Sequence, residues 1–241
     1  MKAEMNQTVA SVVIQFPSAI PLLEGLKIDY CCGGHKTLKD ACDKAGVPAE
    51  KVIRSLEDIS VMPSQGQNWN EKTLTELVNF LLEKHHAYTR EQLALLDKLS
   101  EKVARVHGQN HTELLEVRRL FQEMAEDLEH HLLKEEQVAF PYLLALEKSV
   151  KAGSDENLFF PFEVFQSQPQ RVLMADHEEV GEQLKGLRRL TKDFKAPEDA
   201  CVTYQALYKA FLEIEEDLHR HIHLENNVLF PMAEKLTQRK G

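Results

Sequence analysis

Two related stretches stand out in this chain: His131-Leu-Leu-Lys-Glu135-Glu-Gln-Val-Ala-Phe140-Pro141 and His221-Ile-His-Leu-Glu225-Asn-Asn-Val-Leu-Phe230-Pro231. In both, a glutamate follows the histidine by four residues and a proline follows it by ten. Because residues four apart lie on one face of a helix, each stretch points an imidazole and a carboxylate at the same place. Two such helices facing each other would offer the nitrogen and oxygen ligands of a two-metal site.

A second pattern is interleaved with the first. His86 is followed by Glu91-Gln92-Leu93, and His177 is followed by Glu182-Gln183-Leu184. His177 lies 91 residues after His86, and the two stretches quoted above lie 90 residues apart. These spacings indicate an internal repeat, which predicts a duplicated helical hairpin.

The composition favours a soluble helical protein. The 241 residues are 43% hydrophobic and 28% charged, with only ten glycines and nine prolines. A formal net charge of −10 argues against nucleic acid and against an anionic membrane surface as partners. No apolar run approaches the roughly 18 residues of a membrane span, and the N-terminus lacks the apolar stretch of a signal peptide. We therefore expect a cytoplasmic protein whose four cysteines are reduced.

The predicted architecture is all-α: an up-down four-helix bundle preceded by a small helical N-terminal domain. Residues 1–61 form that domain, with a tight turn at Tyr30-Cys31-Cys32-Gly33-Gly34-His35, and residues 62–70 form a linker. The bundle occupies residues 71–241, with helical patterns at about 71–99, 109–148, 167–193 and 200–237. The phenylalanines of Phe159–Phe165 are expected to fold over the bundle or to contribute to an interface.

The apolar faces of the bundle helices select ligands among the eleven histidines. Four histidines and two glutamates take positions that would otherwise hold core leucine or valine. These predicted metal ligands are His86, His131, Glu135, His177, His221 and Glu225. A buried polar group is costly unless it is satisfied, and metal coordination would satisfy it. A hydrogen-bonded network without metal is the alternative.

The remaining polar candidates are expected outside the ligand set. His85 also lies in phase with apolar residues of the first helix, but the repeat selects its neighbour. Glu136 is expected on the rim of the site, and Glu182 in a salt bridge. His130, His219 and His223 are expected to be solvated or to contact the site from outside. His107 and His111 are expected at a helix junction without a partner pattern, and His35 has no assigned role.

The donor types decide the metal. Imidazoles and carboxylates without thiolates suit iron or manganese better than structural zinc. Helix bundles are a common host for di-iron carboxylate sites. We expect two iron ions per chain, joined by an oxo or hydroxo bridge, with Glu135 and Glu225 as bridging carboxylates.

With these residues in view, the chain resembles the repair-of-iron-centres family. The matching motifs are Asp29-Tyr30-Cys31-Cys32-Gly33-Gly34, His131-x-x-x-Glu135-Glu136 and His221-x-x-x-Glu225-Asn-Asn-Val-Leu-Phe-Pro. The resemblance covers essentially the whole chain. It implies a hemerythrin-like bundle behind a short N-terminal domain, the same six ligands, a homodimer, and a role in restoring iron–sulfur clusters damaged by nitric oxide or peroxide.

The ligand pattern predicts a di-iron protein, and the resemblance implies that it repairs iron–sulfur clusters under nitrosative or oxidative stress, by donating iron or by handling nitric oxide. Its partners would be damaged iron–sulfur proteins, with nitric oxide or oxygen as small ligands. This function does not require catalysis. A di-iron nitric oxide reductase or scavenger, which would be an enzyme, is one alternative. An oxygen or nitric oxide sensor is another, in which His85 could supply a fifth histidine.

The vicinal cysteines are predicted to take part in that chemistry. Cys31 and Cys32 could receive iron, contact the damaged protein or carry nitric oxide, because a thiolate in an electropositive turn is reactive. The alternative is that they are two small buried residues beside a Gly-Gly turn. Cys42 is expected in the core, and Cys201, near a helix start, has no assigned role.

Overall fold

The computed structural model describes residues 3–60, 69–153, 158 and 160–238. These residues are helical or irregular and include no strand, and an isolated bridge joins Thr8 and Thr37. The all-α prediction is thus confirmed. Among the described helices, none combines the length and the apolar character that crossing a membrane requires.

The chain divides into two compact units, and neither coincides with a predicted domain. One contains Met1–Leu77 together with His219–Gly241, and the other contains Val78–Leu218. Most of the predicted linker, residues 61–68, lies outside the described residues. The domain limits at 61 and 71 therefore stay a prediction.

Four short helices build the N-terminal part of the first unit: α1 (Val9–Gln15), α2 (Ile20–Gly25), α3 (Leu38–Ala45) and α4 (Ala49–Ser60). Thr8 and Thr37 cap α1 and α3, because each side chain accepts a hydrogen bond from a backbone N–H three residues later. Gly46 ends α3 in the left-handed conformation. Their buried core includes Val9, Val12, Val13, Leu23, Leu38, Cys42, Val52 and Leu56.

The remaining described α-helices come in consecutive pairs, and a π-helical segment joins the two helices of each pair. The helices are α5 (Leu74–Phe80), α6 (Ala87–His107), α7 (Glu113–Lys134), α8 (Phe140–Ala152), α9 (Phe162–Phe165), α10 (Arg171–Leu190), α11 (Val202–Leu224) and α12 (Phe230–Gln238). The π segments are Leu81–His86, Glu135–Ala139, Gln166–Gln170 and Glu225–Leu229. Such segments are rare and frequently mark functional sites.

Proline accounts for two of these segments. Pro141 and Pro231 lie at the second residue of α8 and α12, directly after a π segment. Proline has no N–H, and its ring clashes with the carbonyl four residues back, so regular α-helical bonding cannot continue through it. The helix therefore changes to the wider π-helical form just before each proline, and each of these π segments begins at a predicted ligand, Glu135 or Glu225.

The helix ends differ from the sequence estimate where apolar contacts continue. The first long helix runs to His107 rather than to residue 99, because Val103 and Ala104 extend its buried face. Within the second unit α7 packs against both α6 and α10. The shared core includes Leu96, Phe121, Met124, Leu184, Leu187, Phe211 and Ile214.

The phenylalanine-rich segment packs onto α8. The ring of Tyr142 stacks on Phe165 with a centroid distance of 4.6 Å and on Phe160 with one of 4.7 Å. Phe162 and Phe165 are buried, whereas Phe159 lies outside the described residues. Packing over a helix is therefore the role that the structure gives to Phe160, Phe162 and Phe165.

Candidate metal centre

A single carboxylate lies between two imidazoles in the interior of the second unit. Glu135, at the start of a π segment, is completely buried. Its Oε2 lies 3.3 Å from Nε2 of His86, and its Oε1 lies 3.3 Å from Nε2 of His131. Both histidines are buried. A carboxylate that offers one oxygen on each side has the arrangement required to bridge two cations.

His177 joins the His131 side of this cluster. Its Nε2 lies 3.1 Å from Nε2 of His131, and its side chain is buried. The ligand atoms of His131, Glu135 and His177 lie within 4.8 Å of one another. Two nitrogens that bind one ion at right angles, with bonds of about 2.1 Å, are about 3 Å apart. The observed separation fits that requirement.

Outer carboxylates orient two of these imidazoles. Nδ1 of His86 lies 2.8 Å from Oε1 of Glu136, and Nδ1 of His131 lies 3.2 Å from Oδ2 of Asp176. If each Nδ1–H donates to its carboxylate, each Nε2 keeps a lone pair directed toward Glu135. Hydrogen bonds of this kind fix the tautomer and ring orientation of metal-binding histidines.

Cationic side chains keep these outer carboxylates ionised. Burial acts to raise the pKa of Glu136 and of Asp176, but hydrogen bonds outweigh it, and both pKa values are lowered. Arg90 lies 2.8 Å from Glu136, and Lys134 lies 2.7 Å from Asp176. The expectation that Glu136 lies on the rim is therefore incomplete, because this half-buried residue contacts a predicted ligand.

The two neighbouring histidines of the first long helix have different partners. Nε2 of His86 faces Glu135, whereas Nδ1 of His85 lies 3.0 Å from Oδ1 of Asp217. The ring of His85 also packs against Phe80 with a centroid distance of 5.5 Å. Neither Asp176 nor Asp217 was predicted from its spacing, since each reaches its histidine from another helix.

The second copy of the motif lies in the first unit. Nε2 of His221 lies 2.9 Å from Oε1 of Glu225, and both residues are buried. A π segment begins at Glu225, as one does at Glu135. The two copies therefore share spacing, burial and helix geometry.

The Cys-Cys-Gly-Gly turn packs directly on this second copy of the motif, within the first unit. Nδ2 of Asn227 donates to the carbonyl of Cys31 over 3.0 Å and lies 3.3 Å from that of Tyr30. A Cβ atom at Gly34 would lie 2.8 Å from Oδ1 of Asn227 and 2.7 Å from the carbonyl of Tyr30. The glycine is therefore required for the close approach of the turn to the helix.

The same turn buries His223, which was expected either to be solvated or to contact the site from outside. His223 is buried, and its Nδ1 lies 3.3 Å from the carbonyl of Tyr30. Burial lowers the pKa of His223 to about 4, so it is neutral at pH 7. Nδ1 of His219 lies 2.9 Å from Oε1 of Glu24, and its ring contacts Tyr30. Of the two alternatives expected for His223, solvation is excluded because residues almost 200 positions earlier cover it.

Cys31 is less ionised than a reactive thiol would require. Cys31 is buried, and Sγ of Cys31 lies 4.0 Å from Sγ of Cys32 and 3.4 Å from Oδ1 of Asp29. The hydrogen bond with Cys32 and burial hold the pKa of Cys31 well above its usual value. Cys31 is therefore a thiol at neutral pH, and the predicted reactivity of this pair stays a prediction. Cys42 lies in the core, as expected.

Comparison with known proteins connects both motif copies with one domain. Residues 78–233 match the family described as hemerythrin HHE cation binding domain, and residues 5–60 match a domain of unknown function, DUF542. The chain is 35% identical over 228 residues to a protein of Yersinia pseudotuberculosis serotype IB (strain PB1/+) named iron-sulfur cluster repair protein YtfE. The match covers 95% of this chain and 96% of the relative. A protein of Yersinia pestis (strain Pestoides F) with the same name matches to the same extent.

Proposed function

Because this chain belongs to the hemerythrin HHE cation binding domain family, we propose that it is a di-iron protein that repairs iron–sulfur clusters damaged by nitrosative or oxidative stress. Relatives that carry the name iron-sulfur cluster repair protein match almost the whole chain, including the N-terminal domain. The observation that carries the di-iron part is the position of the Glu135 carboxylate, with an imidazole nitrogen 3.3 Å from each of its oxygens.

We propose that the six predicted ligands act together, two histidines to each iron, with both glutamates shared. All six side chains are buried: His86, His131, Glu135, His177, His221 and Glu225. The internal repeat supports this grouping, and the match to one cation-binding domain spans all six residues.

The types of donor atom in this set fit iron. Several buried imidazoles and carboxylates without a cation would leave polar groups poorly compensated, whereas a metal ion compensates them. Nitrogen and oxygen donors without thiolate suit iron or manganese better than structural zinc. Bound iron would supply exchangeable coordination positions for nitric oxide or oxygen, and a source of iron for a damaged cluster.

The charge balance supports release of iron. The four histidines are neutral as ligands, so the six side chains contribute only two negative charges against two ferrous ions. The outer carboxylates Glu136 and Asp176 carry further negative charge, but they lie outside the predicted ligand set. Their charge is also balanced by ion pairs with Arg90 and Lys134. We infer that the site orients its imidazoles firmly but compensates the charge of the metal incompletely, a combination suited to donation.

Metal analysis followed by a repair assay tests the proposal. Protein prepared without oxygen should contain about two irons per chain, and it should restore activity to an iron–sulfur enzyme inactivated by nitric oxide. His177→Ala should lose iron and repair together, whereas His130→Ala, at an exposed position, should keep both. Stoichiometric zinc, or repair that is unaffected by His177→Ala, would contradict the proposal.

Protein prepared without oxygen also distinguishes the proposed repair function from the alternative functions. Sustained consumption of nitric oxide with an added reductant, without repair, would favour a nitric oxide reductase. Reversible binding of oxygen or nitric oxide without iron transfer would favour a sensor, and loss of that binding in His85→Ala would assign a fifth histidine. The cytoplasmic homodimer and the participation of Cys31 and Cys32 stay proposals, which fractionation, sedimentation and cysteine substitution would test.

A further inference from the structure

A second cluster of reactive side chains lies where α6 ends and α11 begins, within the second unit. Cys201 directly precedes α11 and is exposed. Its Sγ lies 3.2 Å from Nε2 of His107, the last residue of α6. The backbone N–H groups of Thr203 and Tyr204 act to lower the pKa of this thiol. The sulfur therefore lies at the start of α11 and contacts an imidazole.

The imidazole is held in place by its neighbours. The ring of Tyr204 lies 5.3 Å from that of His107 and 5.6 Å from that of His111. Nε2 of His111 lies 3.1 Å from the carboxylate of Asp199, and this hydrogen bond raises the pKa of His111. Cys201 thus belongs to a packed group of two histidines, a tyrosine and an aspartate.

Cys31 and Cys42 have the opposite character. The pKa of Cys31 is raised by its hydrogen bond with Cys32 and by burial, and the pKa of Cys42 is raised by burial. The pKa of Cys201 is lowered to about 7, first by the N–H of Tyr204 and then by His107. At pH 7 about half of the Cys201 population is therefore thiolate, against about 3% for an ordinary cysteine with a pKa near 8.5.

We propose that Cys201 is a site of reversible thiol–disulfide exchange with small disulfides of the glutathione type. In this proposal, His107 holds the Cys201 sulfur in place and receives the proton of its thiol. The thiolate sulfur attacks one sulfur of the disulfide, the original S–S bond breaks, and a new S–S bond forms to Cys201. The second sulfur leaves as a thiolate and takes the proton from the His107 imidazolium. One thiol and one disulfide are consumed, and one mixed disulfide and one thiol are formed, so atoms and electrons balance.

The expected advantage is modest at pH 7 and larger in acid. A lower pKa raises the thiolate fraction about 16-fold at pH 7 but lowers the nucleophilicity of each thiolate about fivefold, which leaves a gain of about threefold. At pH 6 the same arithmetic gives about sixfold. The pH profile is therefore a sharper readout than a single rate.

The test is the rate at which the full-length protein forms a mixed disulfide with oxidised glutathione, followed by mass spectrometry of the peptide that contains Cys201. The rate at this residue should rise with pH through a midpoint near 7 and should exceed the rate at Cys31. His107→Asn should move the midpoint upward and slow the reaction at pH 6, whereas the exposed-site control His130→Asn should not.

In the wild-type protein, a pH midpoint of 8.5 or above for the reaction rate at Cys201 would by itself overturn the proposal. Equal profiles for the wild type and His107→Asn, with unchanged circular dichroism, would overturn the role of His107. Cys201→Ser identifies the site, because it should abolish this modification while any slow reaction elsewhere continues.

Discussion

Replacing Gly34 with alanine tests the contact between the Cys-Cys-Gly-Gly turn and the helix that carries the second pair of predicted ligands. The added Cβ would lie 2.7 Å from the carbonyl of Tyr30 and 2.8 Å from Oδ1 of Asn227. A separation below 3 Å is far inside van der Waals contact. The carbonyl is backbone and also accepts from Asn227, so it cannot move without loss of that bond.

The magnitude follows from two contributions. Overpacking a tight contact costs about 1–3 kcal/mol. Displacing Asn227 would also cost its 3.0 Å hydrogen bond to the carbonyl of Cys31, about 1 kcal/mol. We expect Gly34→Ala to lower the free energy of unfolding by about 2–4 kcal/mol. For a chain of this size that lowers Tm by about 5–15 °C.

Thermal unfolding followed by circular dichroism is the assay, and a second glycine supplies the control. Gly181 lies inside α10 with nothing within 4 Å of a Cβ atom, so Gly181→Ala should stabilise by up to about 1 kcal/mol. The two substitutions should therefore have opposite signs. Asn227→Ala combined with Gly34→Ala should recover part of the loss, since one of the two clashes is removed. A Gly34→Ala protein as stable as the wild type would refute the reasoning.

Three further predictions concern charged groups. Asp176→Ala should weaken iron binding about 10–100-fold in competition with a chelator, because the orienting partner of His131 is lost, while Asp176→Asn should weaken it less. Equal affinity for iron in the wild type and both variants would exclude an orienting role. Arg188→Met should cost about 3–5 kcal/mol in urea unfolding, because it leaves the buried Glu215 carboxylate without the guanidinium 2.7 Å away; combining it with Glu215→Leu should restore most of the loss, and failure to do so would indicate a packing effect. Hydrogen bonds with Lys72 and Thr73 lower the pKa of Glu76 to about 2, so its stabilisation is present above about pH 4.5 and is lost as the pH falls toward 2; Glu76→Gln should remove that part of the acid sensitivity of Tm.

Sequence reasoning worked best where a single helix contains the relevant spacing. His131 and Glu135 are four residues apart on one helix, so their common direction follows from helical geometry alone. The same reasoning identified His221 with Glu225. Both pairs are buried and in contact, as their apolar neighbours indicated.

The contacts that sequence reasoning missed join distant parts of the chain. Asp176 reaches His131 from another helix, 45 residues away, and His223 is covered by Tyr30, 193 residues away. Periodicity reports which face of a helix is buried but not what buries it. His107 and Cys201 are a third case, because their contact spans 94 residues and neither belongs to a repeated motif.

The π segments limit how this site can be transplanted by protein engineering. A π turn holds one more residue than an α turn, so the side chains on its two sides are out of phase with a regular helix by about 100°. Copying His-x-x-x-Glu and the following proline onto an idealised α-helical scaffold would keep the pair but rotate every later residue away from its place. A designer would need to build the extra residue into the backbone before choosing any side chain.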